Sequence, residues 1–342
     1  MRLPTTRDWS LMRRLWNGRR ELESGVLNAC TRRVPLAGRS AALLLRLDPV
    51  RGPAVSRRSR LVRVVAAILA LLLGLLVGYA LWTVYENTLT PAALDQGSSM
   101  NTKPTHRGQL SPTGARALEA YGGDAVWKAA TTVESTVTVG GLLFQLKGIN
   151  IPAHARITVD VQRPHTVIDP VDESGDVGVL DGFSVMIKAP DGKVLEERAN
   201  AREHLQNASV TDKWDRLNLL YFLGYAFWGY YTLPYQLTRT DIEWTELRDG
   251  LLQADFGTNL PVHSRLQRFW FDRNTGLLKR NDYTPVAATP SAQVANVVFE
   301  HGESNGVRYT SKRRVKLTPA QYGWVLPFPD FITIDVERWR LQ

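Results

Sequence analysis

Trp214-Asp215-Arg216-Leu217-Asn218-Leu219-Leu220-Tyr221-Phe222-Leu223-Gly224-Tyr225-Ala226-Phe227-Trp228-Gly229-Tyr230-Tyr231-Thr232-Leu233-Pro234-Tyr235 is one long helical text in a region that otherwise reads as strands. Eight of the fifteen residues 221–235 are aromatic. Trp214, Leu217, Tyr221, Tyr225, Trp228 and Tyr231 recur at steps of three or four, which puts them on one face of a helix over about residues 212–230. Pro234 is expected to end it. The charged start and the length argue against a membrane crossing.

Before this helix the hydrophobic period is two. Thr131, Val133, Ser135, Val137 and Val139 alternate with Thr132, Glu134, Thr136 and Thr138. The run Leu142 to Ile149, after Gly140-Gly141, is expected to be the hairpin partner of that strand. Further strands are expected at 155–161, 165–169, 177–180, 183–188 and 194–198, with Pro190-Asp191-Gly192 as a turn. After the helix they resume at about 241–247, 251–256, 264–272, 277–284, 293–301, 306–317 and 331–341. A short helix is expected from Pro112 to Tyr121, capped by Ser111 and ended by Gly122-Gly123. The short connections predict an α+β domain built on one antiparallel sheet.

Even ten of these strands, at about 4.8 Å each, make a flat sheet roughly 48 Å wide, whereas a helix is about 10 Å across. One long helix and one short one can cover that face only if the sheet curls into a half-barrel. Trp214, Leu217, Tyr221, Tyr225, Trp228 and Tyr231 are then candidate ligand-binding residues on the wall of an apolar cavity. The alternative is a core helix with a large aromatic face, in a domain that serves as a scaffold with no ligand.

Upstream, Val64 to Tyr85 carries no charge and as a helix is about 33 Å long, enough to cross a hydrocarbon core of about 30 Å. Residues 1–63 hold 15 Arg, no Lys and four acids, a net +11, which leaves −2 for residues 64–342 out of the chain's +9. The high pI therefore belongs to the tail and gives no argument for nucleic-acid binding. Arg57, Arg58, Arg60 and Arg63 crowd the N-terminal side of the apolar run, so the tail is expected in the cytoplasm of a bacterial cell, the run in the inner membrane and the rest exported. Cleavage after Ala80 is the alternative; Trp82 and Tyr85 at the outer end favour an anchor. The expected divisions are a tail over 1–63, a transmembrane helix over 64–85, a flexible linker over 86–111 and the sheet domain over 112–342. The single cysteine, Cys30, falls in the tail.

In Phe269-Trp270-Phe271-Asp272-Arg273-Asn274-Thr275-Gly276-Leu277-Leu278-Lys279-Arg280, a strand, a D-x-x-T-G-L turn and a returning strand follow one another. With the order short helix, antiparallel strands, inserted helix and more strands, this resembles the bacterial lipoprotein-carrier (LolA/LolB-like) half-barrel over about residues 112–342. The resemblance implies an open barrel whose cavity holds acyl chains. The membrane anchor, the basic tail and the unusually aromatic helix depart from that pattern.

Other chemistry is weakly signalled. The six histidines lie at least eleven residues apart, which gives no short-spaced metal pair. Gly182-Phe183-Ser184-Val185-Met186 is not a nucleophile elbow, no phosphate-binding glycine motif occurs, and no cofactor or metal is expected. His263, at a strand start, is expected to be a hydrogen-bonded surface residue, and Asp169, Asp172, Glu173, Asp176 and Asp181 to be solvated turns. Arg308, Lys312, Arg314 and Lys316 share one face of a predicted strand. They are either a solvated face or a patch for lipid headgroups or an envelope protein partner. The expected partner is a membrane lipid or another apolar small molecule.

Overall fold

The computed structural model describes residues 57–89, 103–104 and 109–342. The expected tail and linker lie largely outside these residues. Helix α1 is Arg57–Leu89. Within it Leu61–Val84, 24 residues with a mean hydropathy of 2.7 and none of the segment buried, is long and apolar enough to cross a membrane.

Helices α2 (Pro112–Ala120) and α3 (Asp124–Ala129) follow. Ser111 caps α2 by accepting from the Gly114 N–H at 3.1 Å, with Pro112 at the first helical position. The sheet then begins with β2 (Thr132–Gly140), where Val133, Ser135 and Val137 turn inward as their period of two requires. It continues through β3 (Ala155–Asp160), β4 (His165–Asp169), β5 (Val177–Asp181), β6 (Ser184–Lys188) and β7 (Val194–Arg198). After the long helix come β8 (Glu243–Arg248), β9 (Leu251–Asp255), β10 (Leu266–Phe271), β11 (Leu278–Tyr283), β12 (Val294–Ser304), β13 (Val307–Leu317) and β14 (Ile332–Leu341). Counting the two-residue β1 (Lys103–Pro104), the order is β1-β8-β9-β10-β11-β12-β13-β14-β2-β3-β4-β5-β6-β7, an open antiparallel sheet. Two meanders, β2 to β7 and β8 to β14, thus meet at a seam where Thr136 lies opposite Arg338. Lys103 and Pro104 pair with β8, so part of the expected linker adds to the sheet.

The expected strand at 142–149 is instead helix α4 (Leu142–Lys147). Leu143, Phe144 and Lys147 are buried, the spacing of one side of a helix rather than an alternation, and Gly148 closes it in the left-handed region. Two further short helices, α5 (Ala201–His204) and α7 (Leu233–Gln236), flank the long helix α6 (Arg216–Tyr231). Asp215 caps α6 by accepting from the Asn218 N–H at 2.7 Å, so Trp214 precedes the helix. Pro234 opens α7 after Thr232 has capped α6.

Fourteen of the sixteen residues of α6 are buried. A helix apolar on all sides belongs at the centre of a core. The sheet reaches it from both meanders. Thr166 of β4 donates to the Gly224 carbonyl at 2.9 Å, and Ser135 of β2 meets the Tyr231 hydroxyl at 2.8 Å. Tyr283 of β11 meets the Tyr230 hydroxyl at 3.0 Å. β4 and β11 are six strand steps apart, about 29 Å on a flat sheet, far beyond a helix about 10–12 Å wide. The sheet therefore bends around α6. Close approach needs glycine: a Cβ on Gly224 would lie 2.8 Å from Leu180 Cβ.

The turn of the D-x-x-T-G-L text is also explained. Asp272 accepts from the Asn274 and Thr275 N–H groups at 3.0 and 2.8 Å. Lys279 and these N–H groups hold its carboxyl well below the usual range. Gly276, at φ 73°, lies against α2, where a Cβ would stand 2.5 Å from the Arg116 carbonyl. Gly276→Ala is expected to cost about 3 kcal/mol, from the left-handed backbone and the clash together. Urea unfolding of the two proteins measures it.

Candidate functional site

β11 and β13 end, and β12 and β14 begin, at one end of the sheet. Two long connections, 284–293 and 318–331, leave from there. Between them and the strand ends lies a cavity of about 410 Å³. Tyr283, Val294, Val315, Leu317 and Ile332 form its sheet wall. Leu143 of α4 and Phe222 of α6 close one side, and Pro285, Ala288, Leu326 and Phe331 come from the connections. Thr289, Ser291, Gln293 and Thr318 add uncharged polar groups; no lining side chain carries a formal charge.

Specific bonds hold the connections in place. Lys316 Nζ donates to the Pro327 carbonyl and pairs with Asp330, both at 2.7 Å. The Leu326 and Phe331 N–H groups donate to the Leu317 and Val315 carbonyls at 2.9 and 2.8 Å. Gln293 donates to Thr284 Oγ1 at 2.8 Å. Lys147, buried at the end of α4, donates to the Ser209 carbonyl at 2.6 Å and the Ala288 carbonyl at 2.8 Å, with Trp214 beside it. Burial lowers the pKa of this amine. It ties the segment before α6 to the 284–293 connection, and Val210 and Ala288 of those segments both line the cavity. Lys147→Met is expected to lose about 2 kcal/mol, because two buried carbonyls lose a charged donor. Thermal unfolding, with hydrogen exchange at 205–215 and 284–293, reads both the loss and its place.

Apolar side chains continue onto the surface beside the cavity. Phe328, 66 % exposed, stands between the lining residues Leu326 and Phe331. Val286 is exposed between Pro285 and Ala288, and Leu146 is exposed one turn on from Leu143.

The structure places the aromatic residues of the sequence reading elsewhere. Trp214, Leu217, Tyr221, Tyr225, Trp228 and Tyr231 are all buried, and none lines this cavity. Tyr225 borders a void of about 20 Å³ and Tyr231 one of about 10 Å³, room for a water at most in the smaller. Tyr221 and Tyr225 meet edge to face at 5.1 Å, and burial pushes the tyrosine hydroxyls of this helix above their ordinary range. From α6 the cavity takes Phe222.

The basic strand face is neutralised. Arg308 pairs with Glu303 and Lys312 with Glu300, each at 3.1 Å and near solvent. Arg314 pairs with Asp335 at 2.9 Å, and Lys316 is buried against Asp330.

Two other expectations are overturned. His263 is 4 % exposed rather than a surface residue; its ring stacks on Tyr283 at 3.8 Å, and Nε2 meets the Tyr230 hydroxyl at 2.8 Å. Burial, then Arg313, pushes its pKa down to about 3. Asp172 and Asp176 are buried, not solvated, because Arg216 at the start of α6 bonds both and Glu196 as well. The cavity residues carry no sequence motif: they come from separate segments and share no period.

No protein-family model matches the chain, and no curated protein matches it. Among solved structures the chain is similar to a LolA superfamily protein from Nitrosomonas europaea, at 11% identity, covering 68% of this chain and 94% of that one, with a TM-score of 0.38. It is similar to a DUF1329 family protein from Desulfovibrio piger at 10% identity, covering 70% and 94%, with a TM-score of 0.33. It is also similar to the Mycobacterium tuberculosis lipoprotein LppX at 12% identity, covering 67% and 96%, with a TM-score of 0.25.

Proposed function

We propose that the protein is a single-pass component of the bacterial envelope whose exported half-barrel, over about residues 112–342, holds a lipid or another apolar ligand. The observation that carries this reading is the cavity of about 410 Å³ with no charged lining residue. Its volume falls in the range of about 300–1,000 Å³ typical of small-molecule sites. Each methylene removed from water contributes about 0.8 kcal/mol, so ten would contribute about 8 kcal/mol before the costs of association. An acyl chain fits this chemistry better than a polar metabolite does. The exposed Phe328 and Val286 extend the apolar surface outward from the lining residues.

The span Leu61–Val84 supports an inner-membrane anchor, and the Arg-rich residues before it support a cytoplasmic N-terminus by the positive-inside rule. The aromatic residues of α6 act in this reading as the packed post around which the sheet bends. The alternative, a scaffold without ligand, draws on the dense packing around α6, where the voids are about 20 and 10 Å³.

The test is to purify the full chain from washed membranes and analyse its organic extract by mass spectrometry. Near-stoichiometric acyl lipid is expected. No co-purified lipid, together with no uptake of a fluorescent fatty acid, would overturn the reading and leave the scaffold.

A further inference from the structure

Arg313 of β13 points into the core two residues before Val315, on the same face of the strand. It is 2 % exposed. Its Nε donates to Thr310 Oγ1 at 2.8 Å, and its guanidinium carbon lies 4.6 Å from the centre of the Tyr230 ring. Nη1 has no hydrogen-bond partner in the protein, and no acidic side chain among the described residues pairs with this guanidinium. Burial pushes its own pKa down, and the titratable side chains it faces are Tyr230, Tyr121, Tyr283 and Tyr231. Burial pushes all four hydroxyls up, so they are neutral at pH 7. His263 and His301 are held neutral by burial and, second, by Arg313.

A guanidinium stays protonated when buried, and an uncompensated buried charge is strongly unfavourable. Two other polar atoms close by also lack partners in the protein: His263 Nδ1 and Tyr225 OH, both on residues that border the same void. Such a cluster marks a bound species. The void of about 20 Å³ beside it is bordered by Arg313, Tyr225, Tyr230, His263, Gln267 and Asn281. That exceeds the roughly 10–15 Å³ that one water needs.

We propose that Arg313 and the polar side chains around it form a binding site for a small monoanion, either a halide or the carboxylate head of an acyl ligand. The second source is open because the wall to the 410 Å³ cavity is two side chains thick, Tyr283 and Phe222 on the cavity side and Tyr230 and His263 on the side of the void. Tyr283 lines that cavity while its hydroxyl bonds Tyr230, and Phe222 lines it while packing edge-on against His263 at 5.6 Å. Joining the two spaces takes a movement of Tyr283 together with the His263 ring stacked on it. The halide form stands independently of the acyl-ligand reading; the carboxylate form rests on it.

The test uses the full chain in detergent. Its melting temperature is followed in sodium bromide against sodium methanesulfonate at equal ionic strength, and bromide-grown crystals are examined for anomalous scattering. A melting temperature that rises with bromide, and a bromide peak at Arg313 Nη1, are expected; Arg313→Met should abolish the rise. If the melting temperature ignores the anion and density shows only water at Nη1, the halide form falls. Hexadecanoate is then compared with hexadecanol. Hexadecanoate bound about tenfold or more tightly, an advantage lost in Arg313→Met and reduced by bromide, assigns the site to a ligand headgroup. Equal binding of the two, with bromide at Nη1, assigns it to free halide. Equal binding without bromide overturns the site but leaves the apolar cavity standing. If neither binds, the acyl-ligand reading fails while bromide still decides the site. If Arg313→Met does not fold, the bromide series and the acid–alcohol comparison on the unaltered protein decide alone.

Discussion

Acidification from pH 7 to about 4.5 is expected to destabilise the protein by about 3 kcal/mol through His263 alone. The folded pKa of this histidine is pushed down to about 3, from an ordinary 6.5. Well above pH 6.5 neither state binds the proton and the full stability is present. Below it the unfolded chain takes a proton that the core refuses, so stability falls by about 1.4 kcal/mol per pH unit until the folded pKa is reached. Most of this window lies above the range in which carboxylates titrate. His301, held down to about 4 and bonded to the Tyr121 hydroxyl, adds to the loss in the same direction. His263→Phe keeps the stack on Tyr283, and Tyr230 keeps its bond to the Tyr283 hydroxyl. Urea unfolding at a series of pH values should show a shallower decline for that variant. An equal decline in both proteins would mean that His263 is not the group that titrates.

Ala288→Phe is expected to weaken acyl-ligand binding by at least about tenfold while changing stability by less than about 2 kcal/mol. Ala288 is 1 % exposed and lines the cavity, so the added ring has empty space to enter rather than a packed wall. Its backbone carbonyl still accepts from Lys147. Leu195→Phe, on the exposed side of β7 far along the strand order, is the matched control and should bind as the unaltered protein does. Fluorescent fatty-acid titration and the lipid content of the purified proteins measure the effect. Unchanged binding by Ala288→Phe would place the ligand elsewhere.

The sheet was legible where side chains alternate. Val133, Ser135 and Val137 turn inward on β2, and the later strands begin and end within a few residues of where their apolar runs do. The run Leu142 to Lys147 was not, because six residues of mostly apolar text satisfy a strand and a helix alike. α6 was legible as a helix but not in its surroundings. A three-or-four step does link Tyr221, Tyr225 and Trp228, yet Leu219, Leu220, Phe222 and Phe227 fill the other sides. What a helix apolar all round is buried against depends on how far the sheet bends, and that is decided by pairings remote in sequence. The cavity is harder still. It is the volume left over between Leu143, Phe222, the ends of four strands and two connections, and no local pattern encodes a remainder. His263 sits in Pro261-Val262-His263-Ser264, where nothing nearby announces that its ring will lie on Tyr283.

The seam between the two meanders sets the order in which the chain can assemble. Each meander joins strands close in sequence and can form as soon as its own residues are present. Strands β2 and β14, by contrast, lie about 200 residues apart, and closing a chain loop of that length costs about 5 kcal/mol in entropy. Gln342, just past β14, exchanges backbone bonds with Thr132, which stitches that end of β14 to the start of β2. Until β8 to β14 are in place, α6 has only β2 to β7 to rest on, and its Tyr230 side faces water. Pairing of β2 with β14 and completion of the core are therefore the same event for this chain.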